Sequence, residues 1–523
     1  MKRRTLLQTA AATLAAPRIV RAEAARVVRF VPFVDLGILD PMVNTAALTR
    51  THGYLVFDTL YGTASDYSIE PQMVEGHVVD ADFRNWTLTL REGLTFHTGE
   101  KVLARDVVAS IRRWAGTDQS GRTLLAATDE LSAPSDRVVQ FRMKQSFPLL
   151  PNALGKIGPC MPCIMPERLA TSDPVKAVKE IVGSGPFRFV ANERVPGARV
   201  VYEKFAGYVP RPHGVPGLTA GPKVVNVDRV EWITMPEFAT AAAALQSGEV
   251  DWVDVPNPDL LPMLRRDPKL VVEVKDKTGV VPIMRFNCIQ PPFDNQAIRQ
   301  AVLGAVSQAD FMGALSNDKS NWLDHVGVFC PGTPMASTAG IAATPTDPAV
   351  ARQAIQAAGY KGERVVVMTP TDHPVNGPVA QVMADLMKRL GLNVDSQAMD
   401  AGTMFERRAS REPVDKGGWS CFPSAVGGAD VLSPLVAFLT RGNGLNGWYG
   451  WPTSARTEAL RADWFKAGSL AEQKQICAQM QVQMLADASY VPLGQLLQPT
   501  AYSKSLTGVL DGFAKFYALS KAG

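Results

Sequence analysis

The sequence predicts an α/β protein built in at least two lobes. Three observations lead there. At 523 residues the chain is too long for one core, and length alone suggests roughly three domains. Two stretches alternate strand, helix and strand, as in the units that make parallel sheets. Composition is that of an ordinary globular protein, with 46% hydrophobic and 20% charged residues.

The first 24 residues read as an export signal rather than as fold. Lys2, Arg3 and Arg4 form a basic start, Leu6 to Ala16 is an apolar run too short to span a bilayer, and Ala22-Glu23-Ala24 offers a cleavage site. The order R-R-T-L-L-Q resembles the twin-arginine export motif, with Gln8 where a lysine often stands. No cysteine near the cleavage site invites a lipid anchor. No later run reaches the roughly 18 apolar residues of a membrane helix. The expectation is a soluble periplasmic protein.

Without the signal the charge argument changes. Residues 1–24 hold five of the 54 basic residues and one of the 50 acidic ones, which leaves 49 of each. A neutral chain gives no hint of nucleic acid or anionic lipid as a partner.

From Trp86, "WTLTLR" alternates apolar and polar residues and predicts a half-buried strand. "LTFH" alternates again with Leu94 and Phe96 inward, and Thr98-Gly99 turns the chain. "ARDVVASIRRWAG" follows as a helix that buries Val107, Ile111 and Trp114 and stops at Gly116. In "LREGLTFHTGE", His97 lies on the polar side of a short strand. Glu92 and Glu100 are not placed to share a ligand with it, so His97 is a turn histidine rather than a metal ligand.

"DPVKAVKEIVGSGPFRFV" predicts a helix ending at Gly183 that feeds a strand, and "FRFVANERVPGARVVYEKF" a hairpin turned at Pro196-Gly197. "VDRVEWITM" and "GEVDWVDV" flank the helix "PEFATAAAALQS", closed by Gly248. "RFNCIQPPFDNQAIRQAVLGAV" is a strand, a proline turn and a helix with Asp294 as N-cap. Ile298, Ala301, Val302, Ala305 and Val306 form its buried stripe. The second strand–helix–strand unit runs through "RVVVM", "PVAQVMADLMKRL" and "LNVDSQAM". Residues 331–348 are loop. A helix, "LAEQKQICAQMQVQMLADA", leads into the apolar strand "YVPLGQLL".

Six cysteines in an exported chain invite disulfides. Cys160 and Cys163 form C-M-P-C, but prolines interrupt any helix there, and no second C-x-x-C completes a zinc site. A local disulfide or an inert thiol pair is expected. A redox enzyme using Cys160 and Cys163 is an alternative of a different class. No nucleophile-elbow G-x-S-x-G is present.

In order along the chain, "WTLTLREGLTFHTGEKVLARDVVASIRRW", "VGSGPFRF", "EWITMPEFATAAAALQSGEVDWV", "FNCIQPPFDNQAIRQAV", "DPAVARQAIQAAGY" and "YVPL" resemble landmarks of one family. It is the extracytoplasmic solute-binding proteins of peptide- and nickel-type ABC importers, family 5, which include dipeptide- and oligopeptide-binding proteins. The resemblance implies a two-lobed periplasmic binding protein fold (a Venus flytrap) with an extra subdomain in lobe I. Lobe I would be 26–280 with 494–523, its subdomain 61–182, and lobe II 281–493, with hinge crossings near 280–288 and 490–498. It further implies no enzymatic activity and no cofactor or metal. The partners would be a small or short-peptide solute, an inner-membrane permease and its ATPase, with the protein a monomer and no nucleic acid. A nickel- or haem-capturing protein is the nearest alternative.

In the family's peptide binders, a tryptophan after a lobe II strand is followed three residues later by an aspartate that pairs with the peptide's α-ammonium. Trp419 matches the tryptophan, but Phe422 stands at the aspartate position. Asp430, on the same loop, is the candidate substitute. Trp419, Phe422, Trp448 and Tyr449 suggest an aromatic wall that stacks on the solute, with Trp451 beside them. Phe33 and Asp35, in "FVDLGILDP", resemble the first cleft loop, and Asn287 stands on the strand entering lobe II.

Overall fold

Two seven-stranded sheets, each layered with helices, organise the chain. The structure, a computed structural model, describes residues 26–522, and the export signal expected over 1–24 lies outside the described residues. No described helix is long and apolar enough to cross a membrane.

The first sheet draws on both ends of the chain. Its strands run Leu270–Glu273, Thr500–Ser503, Trp252–Val253, Val27–Val31, Arg229–Ile233, Arg199–Lys204 and Phe187–Phe189. Val27–Val31 pairs in parallel with both members of the first strand–helix–strand unit. The helix of that unit, Phe238–Ser247, ends at Gly248, whose φ of +80° supplies the left-handed cap a side chain would resist.

Beside it lies a four-stranded sheet in the order Val74–Val79, Asn85–Leu90, Val138–Met143 and Thr128–Ser132. Trp86, Leu88 and Leu90 point inward from one of these strands, as the alternation requires. The helix Ala104–Thr117 covers it with Val107, Ile111 and Trp114. That helix runs through Gly116. The chain turns instead at Asp118, whose carboxylate accepts from Ser120 N and Gly121 N to start the next helix, Gln119–Ala127.

The second sheet runs Trp322–Leu323, Gln495–Leu496, Val280–Phe286, Cys421–Gly427, Arg364–Pro370 and Asn393–Met399, and Tyr490–Pro492 also pairs with Val280–Phe286. Arg364–Pro370 and Asn393–Met399 pair in parallel around the helix Asn376–Arg389. Val365, Val366, Val367 and Met368 are all buried, the mark of a strand covered on both faces. The chain passes between the two sheets over 274–279 and 497–499. These passes are neighbours, since Glu273 pairs with Thr500 and Val280 with Leu496.

Three further local expectations are corrected. Residues 173–183 form turns and loop, not a helix. Buried Arg113 takes the carbonyls of Ser172, Asp173 and Lys176, and the Asp40 carboxylate takes Val178 N, so groups a helix would pair internally are drawn elsewhere. The helix Gln296–Gly304 is capped by Asn295 rather than Asp294, because Asp294 N is already held by Gln290 O in the preceding turn. "YVPLGQLL" is two short strands, broken at Gly494 with φ +119°.

Candidate functional site

His97 belongs to the scaffold. Its Nε2 donates to Gly185 O at 3.1 Å and its Nδ1 accepts from Gly183 N at 3.4 Å, which fixes the neutral Nε2–H tautomer. Burial pulls its pKa down to about 4. Glu92 pairs with Arg137 at 2.8 Å, away from the imidazole. Among the described residues no group of three or more His, Cys, Asp or Glu could hold a metal ion.

The cysteines are free thiols. Burial pushes Cys160 up to about 12 and Cys163 well above its ordinary value. A reactive dithiol needs the opposite shift, because the thiolate is the nucleophile.

The aromatic wall exists, and its own side chains fill it. Trp419, Phe422 and Trp451 are buried together. Phe422 lies edge-on to Trp419 at 4.9 Å and to Trp448 at 5.7 Å, and Trp448 meets Tyr449 at 5.6 Å. Trp419 Nε1 donates to Ser410 O. Guanidiniums lie over three of the rings: Arg408 is 4.7 Å over Tyr449, Arg411 5.3 Å over Trp451, and Arg285 5.2 Å over Trp448. Asn287 is buried and donates to Trp419 O at 2.9 Å, so it ties the two central strands of the second sheet.

Phe33 is 49% exposed on the loop after Val27–Val31. Asp35 accepts from Gly197 N at 3.0 Å and from Thr234 Oγ1 at 3.2 Å, contacts that fasten this loop to its own lobe.

Asp430 reaches the seam between the lobes. It follows the strand Cys421–Gly427 and faces Arg50, on the helix Ala47–Val56, at 3.9 Å. Both keep accessible surface in the seam, 18% for the Asp430 side chain and 10% for Arg50. Arg50 also lies 4.6 Å over the ring of Phe513, and its Nε has no partner. Burial raises the Asp430 pKa, and the nearby Arg50 and Lys156 oppose that shift.

The seam gathers charges that the sequence did not single out. Asp254 follows Trp252–Val253, and burial pushes its carboxyl up to about 7, with Asp276 adding to the shift and Arg50 opposing it. Lys515 is buried and is pushed down to about 7 by that burial. Its Nζ donates to the carbonyls of Asp511 and Phe513. Asp254 did carry a signal. It ends a strand parallel to Val27–Val31, and α/β proteins bind ligands beyond the carboxyl ends of such strands. Arg50 and Lys515 carried none. Away from these charges, Ser120 Oγ donates to Leu435 O at 2.7 Å and Phe147 stacks on Phe465 at 6.0 Å, joining the four-stranded unit to the second lobe.

A sequence model of the bacterial extracellular solute-binding proteins, family 5 (middle region), matches residues 68–444. The chain belongs to that family. It is 36% identical over 511 residues to a probable peptide ABC transporter periplasmic-binding protein, y4tO, of Sinorhizobium fredii, covering 96% of this chain and 95% of that one. A glutathione-binding protein of Pectobacterium atrosepticum is 26% identical over 502 residues, with 90% and 88% covered. Among solved structures, the periplasmic binding protein DppA of Helicobacter pylori, in complex with the peptide STSA, superposes with a TM-score of 0.78. It is 19% identical, with 95% of this chain and 98% of that chain covered. AgaA of Agrobacterium tumefaciens R10, in complex with agropinic acid, gives 0.77 at 19% identity, with 95% and 99% covered. The family's members are extracellular solute-binding proteins, and the fold is the two-lobed one of periplasmic binding proteins.

Proposed function

We propose that this protein is the periplasmic solute-capturing component of an ABC importer, taking a peptide or peptide-like solute into the cleft between its lobes. The observation that carries this reading is the Arg50–Asp430 contact across the seam, since charged groups from both lobes converge where a solute would be enclosed. The y4tO and DppA likenesses favour a peptide among solutes.

Lobe I is then 26–280 with 494–523, holding the subdomain 61–182, and lobe II is 281–493. The adjacent passes over 274–279 and 497–499 act as the hinge. Solute binds one lobe in the open form, and closure buries it against the other. The protein does no covalent chemistry, acts as a monomer, reaches the periplasm by the twin-arginine route, and hands its solute to the permease and ATPase. Solute contacts are expected from Asp430 and Phe33. Trp419, Phe422, Trp448, Tyr449 and Asn287 shape the lobe II wall behind them, and Asp35 holds the first cleft loop.

Native mass spectrometry of protein purified gently from periplasm tests the reading. A bound species that fragments as a peptide supports it. A bound metal or haem mass in its place rejects it for the nickel- or haem-capturing alternative.

A further inference from the structure

If the chain captures a peptide-like solute as proposed, lobe II indicates which charge that solute brings. Side chains alternate along the strand Val280–Phe286. Met284 and Phe286 enter the core of the second sheet, and Ile283 enters the core that runs on into the first lobe. Arg285 therefore shares a face with Ile283, and it is fully buried there. Its cross-strand neighbours are Phe422 and Tyr490, neither of them an acid. Arg285 Nε donates to Tyr449 O at 2.6 Å and Nη1 to Leu439 O at 3.2 Å, but Nη2 has no partner. The hydroxyl of Tyr490, also buried, has none either.

A second guanidinium approaches the same aromatic ring. Arg285 lies 5.2 Å over Trp448 and Arg408 lies 5.8 Å over it, and Arg408 also lies 4.7 Å over Tyr449. Arg408 Nε is buried without a partner. Elsewhere in the second lobe, Arg364 meets Asp395 at 3.2 Å and Arg441 meets Glu458 at 3.0 Å. No ion pair reaches Arg285 or Arg408 among the described residues. Two cations that share a ring and lack a counter-ion set up a positive potential, which an anion relieves. Trp448 and Tyr449 keep part of their surface exposed, so the strip can be reached. We propose that Arg408 and Arg285, with the Tyr490 hydroxyl, form an anion subsite for a carboxylate side group of the solute. The solute is then an acidic peptide-like molecule. The faces of Trp448 and Tyr449 suit the apolar stem of such a group, and a guanidinium stacked by its face still has its edge N–H groups for the carboxylate.

The probes are three pools of tripeptides with varied uncharged flanks and a central glutamate, glutamine or lysine, so that the pools share their termini and differ in one side group. Titrated into the full chain in a calorimeter, the glutamate pool should bind at least about tenfold more tightly than the glutamine pool, the worth of a charge-assisted hydrogen bond. The lysine pool should bind most weakly. Arg408→Gln, at a part-exposed position, should collapse the preference for glutamate over glutamine, a change in selectivity that lost packing alone would not produce. Tyr490→Phe keeps the ring and should reduce the same preference. Equal affinity for the glutamate and glutamine pools on the natural chain overturns the anion subsite and leaves the peptide-capture reading standing. If no pool binds, the peptide reading fails, and glutarate against glutaramide decides the subsite. Glutarate that binds the natural chain and not Arg408→Gln keeps the subsite, and glutarate that binds no better than glutaramide overturns it.

Discussion

Replacing Asp40 by Asn tests how the first cleft loop is held. The Asp40 carboxylate meets the Arg113 guanidinium at 2.9 Å with both side chains fully buried, and it also accepts from Met42 N and Val178 N. Removing its charge leaves Arg113 buried without a counter-ion, a change worth about 3–5 kcal/mol. The carbonyls of Ser172, Asp173 and Lys176 still solvate the guanidinium, so we expect about 3 kcal/mol, the lower end of that range. Urea unfolding followed by tryptophan fluorescence measures the loss. Hydrogen exchange should speed up first at 172–178, the segment these two side chains hold out of a helix. A paired replacement, Asp40→Leu with Arg113→Met, should recover most of the stability, because two apolar groups leave no charge stranded. A loss below about 1 kcal/mol for Asp40→Asn would refute the claim that this pair organises the segment.

Phe422→Ala should cost about 3–5 kcal/mol by opening a cavity beside Trp419 and Trp448. Phe422→Asp should cost more and restore no ammonium site, and an aspartate variant that folds well and binds peptide more tightly would contradict the packed wall. His52 and His97 are held down to about 3 and about 4 by burial. The unfolded chain therefore binds more protons below its histidine pKa of about 6.5. Their contribution is complete above that pH and lost as pH falls towards the folded values, so His97→Gln should flatten the acid limb of a melting-temperature profile. Asp254 has the opposite sign. Raised to about 7, it costs stability as pH rises from its ordinary range towards 7, and Asp254→Asn should melt higher than the natural chain at pH 8 when no solute is present. Iodoacetamide should leave Cys160 and Cys163 unmodified until urea unfolds the protein, as peptide mass mapping would record.

What the sequence made legible was whatever local period encodes. The strand Asn85–Leu90 alternates, the helix Phe238–Ser247 ends at a glycine, and both strand–helix–strand units formed. The reading failed where a distant side chain outbid local propensity. Residues 173–183 have a helical pattern, yet Arg113 and Asp40, some 60 and 140 positions away, take their backbone groups. The site divides in the same way. Asp430 was named because it follows the aromatic stretch that marks the loop, and the structure sets it 3.9 Å from Arg50. Arg50 and Lys515 were not, because each looks like an ordinary charge until residues hundreds of positions away are folded against it. The aromatic residues were read as a surface for solute; in the structure Trp419, Phe422 and Trp451 are buried, and Trp448 and Tyr449 are part-exposed beneath arginines.

Buried ion pairs within lobe I are closer than the one across the seam. Within lobe I, Arg113 meets Asp40 at 2.9 Å, Lys223 meets Asp58 at 2.7 Å, and Lys156 meets Asp118 at 2.6 Å, each a close ion pair. Across the seam, Arg50 stays 3.9 Å from Asp430. A buried charge left short of partners costs stability. The three pairs that hold lobe I together are closed at hydrogen-bond distance, and the Arg50–Asp430 pair between the lobes is not.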